Sequence, residues 1–378
     1  MTTRALILGA GFGGLEVAAT LSESAPEEFE VTVLDRSDSF VFGYAKLDVM
    51  FGRQAADAVR LPYRDVAKPG VRLLRETVEA IDPESRRVRT DAGEHEADAL
   101  VIALGADYDL DATPGLAEGG HEFYSVAGAA RLAGVIPEFS RGHAVVGVCG
   151  APFKCPPAPS ECALLLHDEL TARGVRDACE ISFVLPLSAP VPPSPETSAA
   201  LAEAFDERDI RLLPGRRIQS VEPGRGVAVL DGGDELPFDL FLGVPKHRAP
   251  DVVIESGLAE DGYVPVDSAT LRTRHPGVYA LGDVATAGVP KAGVFAEGAG
   301  RVVARQLIAE ARGGEPPEAY DGRGSCYIEF GRGRVGRVDI DFLSGAQRTG
   351  VFNAPSEELA AEKADFGPRR WARWSGAG

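Results

Sequence analysis

Apolar residues fall mostly in short, nearly continuous runs. Ala5-Leu-Ile-Leu8, Val31 to Leu34, Ala97 to Leu104, Ala144 to Val148, Ile181 to Leu185 and Leu240 to Val244 are the clearest. Runs of this length, closed by glycine, proline or acidic residues, predict strands covered on both faces. Helical patterns stand between them at Leu15–Ser22, Cys162–Ala172, Glu196–Phe205 and from about Lys291 to Ala309. Strands alternating with helices predict an α/β fold built on parallel sheets. Elsewhere the pattern weakens. Residues 37–75 are irregular, 77–81 and 87–90 read as short strands around a turn, and 109–140 are rich in loops. The tail from about 320 to 378 alternates as strands do, at 326–330 and 335–340. It closes on a basic and aromatic stretch, Arg369-Arg370-Trp371-Ala372-Arg373-Trp374. An exposed terminus of that kind suits a membrane surface or a subunit contact.

A length of 378 residues with 44% hydrophobic content suggests two or three domains. The 39 basic and 57 acidic residues leave a net charge of −18, which argues against nucleic acid as a partner. No apolar run approaches the roughly 20 residues of a membrane span, and no secretory signal is evident. The expected location is the cytoplasm, with at most peripheral membrane contact. Five cysteines at 149, 155, 162, 179 and 326 show neither a disulfide framework nor a zinc spacing, so no metal is expected.

Two loops carry chemistry. The first strand runs directly into Gly9-Ala10-Gly11-Phe12-Gly13-Gly14, a helix follows, and Asp35-Arg36 closes the second strand. That is the context of a dinucleotide fingerprint. Gly9 permits a tight turn, Gly11 lets a pyrophosphate approach the backbone, Gly14 lets helix and strand pack, and Asp35 accepts from a ribose hydroxyl. The second loop, Lys154-Cys155-Pro156-Pro157-Ala158-Pro159, occupies the equivalent junction after Ala144–Val148. Its prolines lack backbone N–H groups, so it is poorly built to cradle phosphate and better built to hold one thiol. Lys154 beside Cys155 is expected to lower the thiol pKa. Cys149 and Cys162 read as packing residues and Cys179 as inert. Glu161 is a helix N-terminal charge or an acid/base near the thiol, and His247 a proton relay or a structural hydrogen bond.

The glycine motif, the Ala103-Leu104-Gly105-Ala106 turn and Val278-Tyr-Ala-Leu-Gly282-Asp283 together resemble the FAD-dependent disulfide-reductase superfamily. That resemblance implies two Rossmann-like (FAD/NAD(P)-binding) domains plus a small C-terminal interface segment. The expected boundaries are 1–108 and 246–319 for a discontinuous FAD-binding domain, 109–245 for the second, and 320–378 for the tail. By position Asp283 inherits the ribityl-binding role, with Gly282, Ala103 and Gly105 beside the cofactor. Within the superfamily the chain is similar to the sulfide:quinone oxidoreductase and flavocytochrome c sulfide dehydrogenase branch. Lys154 to Pro159 match its first redox cysteine loop, Val244 to Pro250 its return crossing, Pro290-Lys291-Ala-Gly293 its helix start near the flavin, and Gly324-Ser-Cys326-Tyr327 its second redox cysteine. The chain departs from the quinone-reducing members in having no cysteine between 106 and 142, and amphipathic C-terminal helices for membrane docking are not expected.

The resemblance implies an FAD enzyme that oxidises sulfide, or a related persulfide or thiol, through Cys155 and Cys326. Lys291 would stabilise negative charge on reduced flavin. Electrons would leave to a quinone or a protein acceptor, and a homodimer is conceivable on the same grounds. Two alternatives stand beside this: an NAD(P)H-dependent flavoprotein reductase, and a flavin and cysteine redox sensor without turnover. The second loop lacks the G-x-G-x-x-G order, and Leu185-Pro186-Leu187 stands where an acid would hold a ribose, which disfavours NAD(P)H.

Overall fold

Nearly continuous apolar runs become the inner strands of two parallel sheets in the computed structural model, which describes residues 2–376. The first sheet has the order Val278–Ala280, Ala99–Ile102, Thr3–Leu8, Phe29–Asp35, Val71–Arg75. The second has the order His121–Glu122, Leu240–Val244, Gly142–Val148, Cys179–Leu185, Ile210–Pro214. Ile7, Leu8, Val101, Val146 and Phe183 are wholly buried. Both faces of each sheet are covered, as nearly continuous apolar strands require. The α/β class and the two Rossmann-like sheets are those expected.

On one face of the first sheet the helix Phe12–Ser24 lies against the helix Gly293–Arg312. A Cβ on Gly300 would stand 2.7 Å from the Gly13 carbonyl oxygen, so glycine sets how closely they approach. The chain leaves for the second sheet through Asp107–Asp109 and returns through Lys246–Arg248, and these two segments pair antiparallel. This doubled crossing holds the carboxyl edges of both sheets near one another.

Several boundaries differ from the sequence expectation. The irregular stretch 37–75 contains a helix, Ala45–Met50, and an edge strand, Val71–Arg75. The loop-rich stretch contains the helix Val126–Val135, whose Ser125 hydroxyl accepts from Gly128 N at 2.8 Å. Its Ala and Gly positions leave too little apolar contrast to show a period. The helix expected from Cys162 begins at Ala158, because proline is tolerated in a first turn whose N–H groups have no partner anyway.

The tail is the largest correction. Strands Arg323–Gly331, Arg334–Asp341 and Thr349–Ser356 form an antiparallel sheet, and the chain then becomes a helix, Glu357–Ser375. Ser356 caps it, accepting from Leu359 N at 3.1 Å, and Glu357 and Glu358 complement the helix dipole. Its buried positions include Lys363 and Gly367, so its inner face does not read as apolar. Its end packs on this chain's own first and long helices. Trp374 is 1% exposed and donates Nε1–H to Glu16 at 2.8 Å, while Arg373 pairs with Glu16 and Glu23. Arg370 pairs with Glu297 at 2.7 Å. Among the described residues no helix is long and apolar enough to cross a membrane.

Candidate active site at the junction of the two sheets

The glycine motif sits at the carboxyl edge of the first sheet, where open α/β sheets bind ligands. Gly9 has φ +101°, and a Cβ there would lie 2.4 Å from the Ala103 carbonyl oxygen. A Cβ on Gly14 would lie 1.9 Å from the Gly9 carbonyl oxygen, and one on Gly13 would lie 2.0 Å from the Leu281 side chain. At Gly11 nothing stands within 4 Å, so open space begins there. Asp35 accepts from Ala10 N and Ser37 N, each at 2.8 Å. Arg36 is exposed and pairs with Asp107 at 3.3 Å. Phe12 belongs to an aromatic cluster with Phe40, Phe42 and Trp374.

Two cavities of about 300 and 310 Å³ meet along walls shared by Gly11, Phe40, Val41, Ala103 and Gly105. One reaches Asp35, Arg36 and Glu76. The other reaches Gly282, Asp283, Lys291 and Cys155. This long slot fits FAD: open backbone at Gly11, a carboxylate for ribose at one end, and a half-buried Asp283 at the other. Burial raises the Asp283 pKa, and the charges of Lys154, Lys291 and Lys46 oppose that rise.

The cysteine loop comes to the same place from the second sheet. Cys155 has φ +47°, a conformation that strains any residue but glycine and that occurs at functional sites. It is held by its own backbone: N–H donates to the Lys291 carbonyl at 2.7 Å, and its carbonyl accepts from Ala158 N at 2.9 Å. Cys326 arrives on the strand Arg323–Gly331, which lies close to the helix Gly293–Arg312 because Gly324 has no side chain; a Cβ would meet Phe295 at 2.8 Å. Cys155 and Cys326 line one small cavity of about 120 Å³, together with Glu161, Tyr44, Lys363 and Phe366. Both are free thiols.

Electrostatics there correct the role expected of Lys154. Its Nζ donates to the Ala106 carbonyl at 2.8 Å and lies 4.3 Å from the Tyr108 ring centroid. Burial dominates Cys155 and raises its pKa, with Glu161 and Cys326 adding to the rise. Burial pushes Cys326 up to about 12. Lys291 is likewise committed: its Nζ donates to the Asp283 carbonyl at 2.6 Å and lies 3.4 Å from the Tyr263 ring centroid. Burial lowers it to about 8. Lys46 is different. Its side chain borders the slot with no hydrogen bond or ion pair among the described residues, burial and Lys154 lower it to about 8, and the Cys155 charge favours its protonated form.

Burial, with Glu329 and Asp48 nearby, pushes Glu161 up to about 7, against the pull of Lys363. Its carboxylate accepts from Glu329 N at 2.9 Å, and Lys363 pairs with Glu329. Lys363 was invisible in the sequence, since the tail read as strands and no local motif singles that lysine out. His247 is 2% exposed, donates Nδ1–H to the Pro245 carbonyl at 2.8 Å and stands edge-on to Tyr108 and Tyr124. Burial lowers it to about 3, so it is a neutral structural group at neutral pH. Cys149 and Cys162 are buried.

Residues 3–301 match the model of the pyridine nucleotide-disulphide oxidoreductase family. The mitochondrial sulfide:quinone oxidoreductase of Mus musculus is 26% identical over 96% of this chain and 84% of its own. An NADH dehydrogenase-like protein of Mycobacterium tuberculosis is 31% identical over 75% of this chain and 73% of its own. Among solved structures, the sulfide:quinone oxidoreductase of Aquifex aeolicus superposes with a TM-score of 0.88 at 22% identity, covering 99% of this chain and 92% of the other. The chain belongs to the pyridine nucleotide-disulphide oxidoreductase family, as an FAD-dependent oxidoreductase similar to its sulfide:quinone oxidoreductase branch.

Proposed function

We propose that the protein oxidises hydrosulfide, or a related persulfide or thiol, through a Cys155–Cys326 disulfide and FAD, and delivers the electrons to a quinone. One observation carries this: two cysteines from distant parts of the chain border one cavity that opens beside the cofactor slot. Hydrosulfide attacks one sulfur of the disulfide. A new S–S bond forms a persulfide, the old one breaks, and the other cysteine leaves as a thiolate holding the electron pair. FAD, when bound, supplies the two-electron acceptor for that pair.

The chain's own residues manage charge and protons. The uncommitted Lys46 ammonium faces the anionic sulfur that this exchange creates, a role the sequence had suggested for Lys154. Glu161, near neutrality in its titration, exchanges a proton with the sulfur nucleophile. Lys291 holds the loop that carries Asp283 and lends positive charge to the cofactor end of the slot. Gly9 to Gly14 and Asp35 hold the dinucleotide, and Ala103, Gly105, Gly282 and Asp283 its flavin half.

Anaerobic titration tests the reading. Hydrosulfide bleaches the flavin of the wild-type holoenzyme, and Cys155→Ser or Cys326→Ser abolishes bleaching. Unchanged bleaching in either variant sinks the cysteine mechanism. Faster bleaching by NADH or NADPH than by hydrosulfide would favour the NAD(P)H-dependent reading, which the Mycobacterium relative motivates. Turnover with a soluble quinone separates an enzyme from a redox sensor.

A further inference from the structure

A cavity of about 590 Å³, larger than either part of the cofactor slot, lies outside it. Four segments build it, one of them the stretch from Gly288 to Phe295 at the start of the long helix. The cysteine loop contributes Pro156 and Pro157, the proline-rich loop after Leu187 contributes Pro190, Pro192 and Pro193, and the C-terminal sheet contributes Val338, Ile340 and Phe342. Cys326 stands in its wall, and Cys155 does not. Proline offers no N–H, so these walls give a polar ligand few donors. The charged side chains that border it are Lys291 and Arg348. The Lys291 ammonium is spent on the Asp283 carbonyl, whereas Arg348 is exposed, 5.6 Å from the Phe342 ring centroid.

We propose that this cavity binds the hydrocarbon part of an organic thiol that ends in a carboxylate, its sulfur at Cys326 and its carboxylate at Arg348. The proposal rests on the disulfide chemistry above and narrows its substrate. Hydrosulfide is little larger than water, which occupies about 30 Å³ in the liquid, so it needs no chamber of this size. The volume lies within the range of small-molecule sites, and apolar walls with one convergent cation are the usual pattern of such sites. A hydrophilic thiol such as glutathione would lose its water against proline and aliphatic walls without recovering hydrogen bonds. In the exchange the ligand thiolate attacks the Cys326 sulfur of the disulfide. One S–S bond forms between ligand and Cys326, the Cys155–Cys326 bond breaks, and Cys155 leaves as a thiolate with the electron pair. The disulfide is the oxidant and the ligand sulfur is oxidised.

The binding step is read apart from turnover in the Cys155→Ser holoenzyme. The Cys326 thiolate attacks the symmetric disulfide of mercaptooctanoate, which leaves a mixed disulfide on Cys326 and releases mercaptooctanoate; intact mass follows the rate. The expected rate exceeds that with glutathione disulfide by more than about tenfold, since each methylene buried multiplies affinity about fourfold. Arg348→Gln, at an exposed position that leaves the fold alone, slows the reaction with the carboxylate probe and not with its methyl ester. Equal rates for the two disulfides, or an Arg348→Gln effect blind to the carboxylate, overturn the proposal. Inorganic polysulfide filling the cavity in place of the probe overturns it as well. Wild-type bleaching by hydrosulfide without this preference leaves the proposed function standing and removes only this inference. The preference without bleaching does the reverse.

Discussion

Gly11 and Gly14 are three positions apart and limited by different neighbours. A Cβ on Gly14 runs into the Gly9 carbonyl, which belongs to backbone and cannot move aside, whereas a Cβ on Gly11 meets only the open slot. Gly14→Ala should therefore destabilise the apoprotein by at least the roughly 1–3 kcal/mol typical of overpacking. Gly11→Ala should leave the apoprotein's thermal unfolding unchanged and lower the flavin content. Calorimetry of the stripped protein and flavin-to-protein absorbance measure the two effects separately. Glu161 makes a second residue-scale expectation. Its folded pKa, about 7, is raised from 4.5, so between those values the folded chain holds a proton that the unfolded chain has lost. This group's contribution to stability is fullest below 4.5 and falls as pH rises to about 7, by up to about 3 kcal/mol. Glu161→Gln should flatten that decline. Urea midpoints for both proteins at about pH 5 and about pH 8 check it, and parallel slopes would refute the assignment.

At the scale of an element, the C-terminal helix Glu357–Ser375 depends on one buried carboxylate. Glu16 is fully buried and receives Arg301, Arg373 and the Trp374 indole. Removing Glu16 leaves the buried Trp374 N–H without an acceptor, a loss of about 1–3 kcal/mol, while Arg301 and Arg373, 41% and 37% exposed, turn to water. Glu16→Ala should loosen the helix before it unfolds the sheets. The chain's two tryptophans, Trp371 and Trp374, both lie on this helix, so tryptophan emission reports on it alone. A red shift in Glu16→Ala with retained flavin absorbance is the expected result. The same helix carries Lys363 to Glu329 beside the cysteines, so loosening it should also change the reactivity of Cys326.

Across the whole molecule, the doubled crossing at Asp107–Asp109 and Lys246–Arg248 is what lets a loop of one sheet reach the slot of the other. The strands, the glycine loop and the α/β class were legible because each follows from local physics. Nearly continuous apolar runs, small residues in tight turns and proline without an N–H act within a few positions of where they stand. The helix Val126–Val135 was hidden by its many small residues, and the C-terminal helix by a buried face that includes lysine and glycine. Lys154 shows the limit best. Adjacency in sequence suggested that it would serve Cys155, yet its side chain turns to Ala106 and Tyr108, and the lysine left uncommitted near that thiol is Lys46. The amino-acid order by itself determined the fold class, the dinucleotide motif and which cysteines deserved scrutiny. Only the tertiary structure decided that Cys155 and Cys326 border one cavity, which lysine is uncommitted among the described residues, and what encloses them. Charges and thiols act through distance and desolvation, and neither exists until the chain has folded.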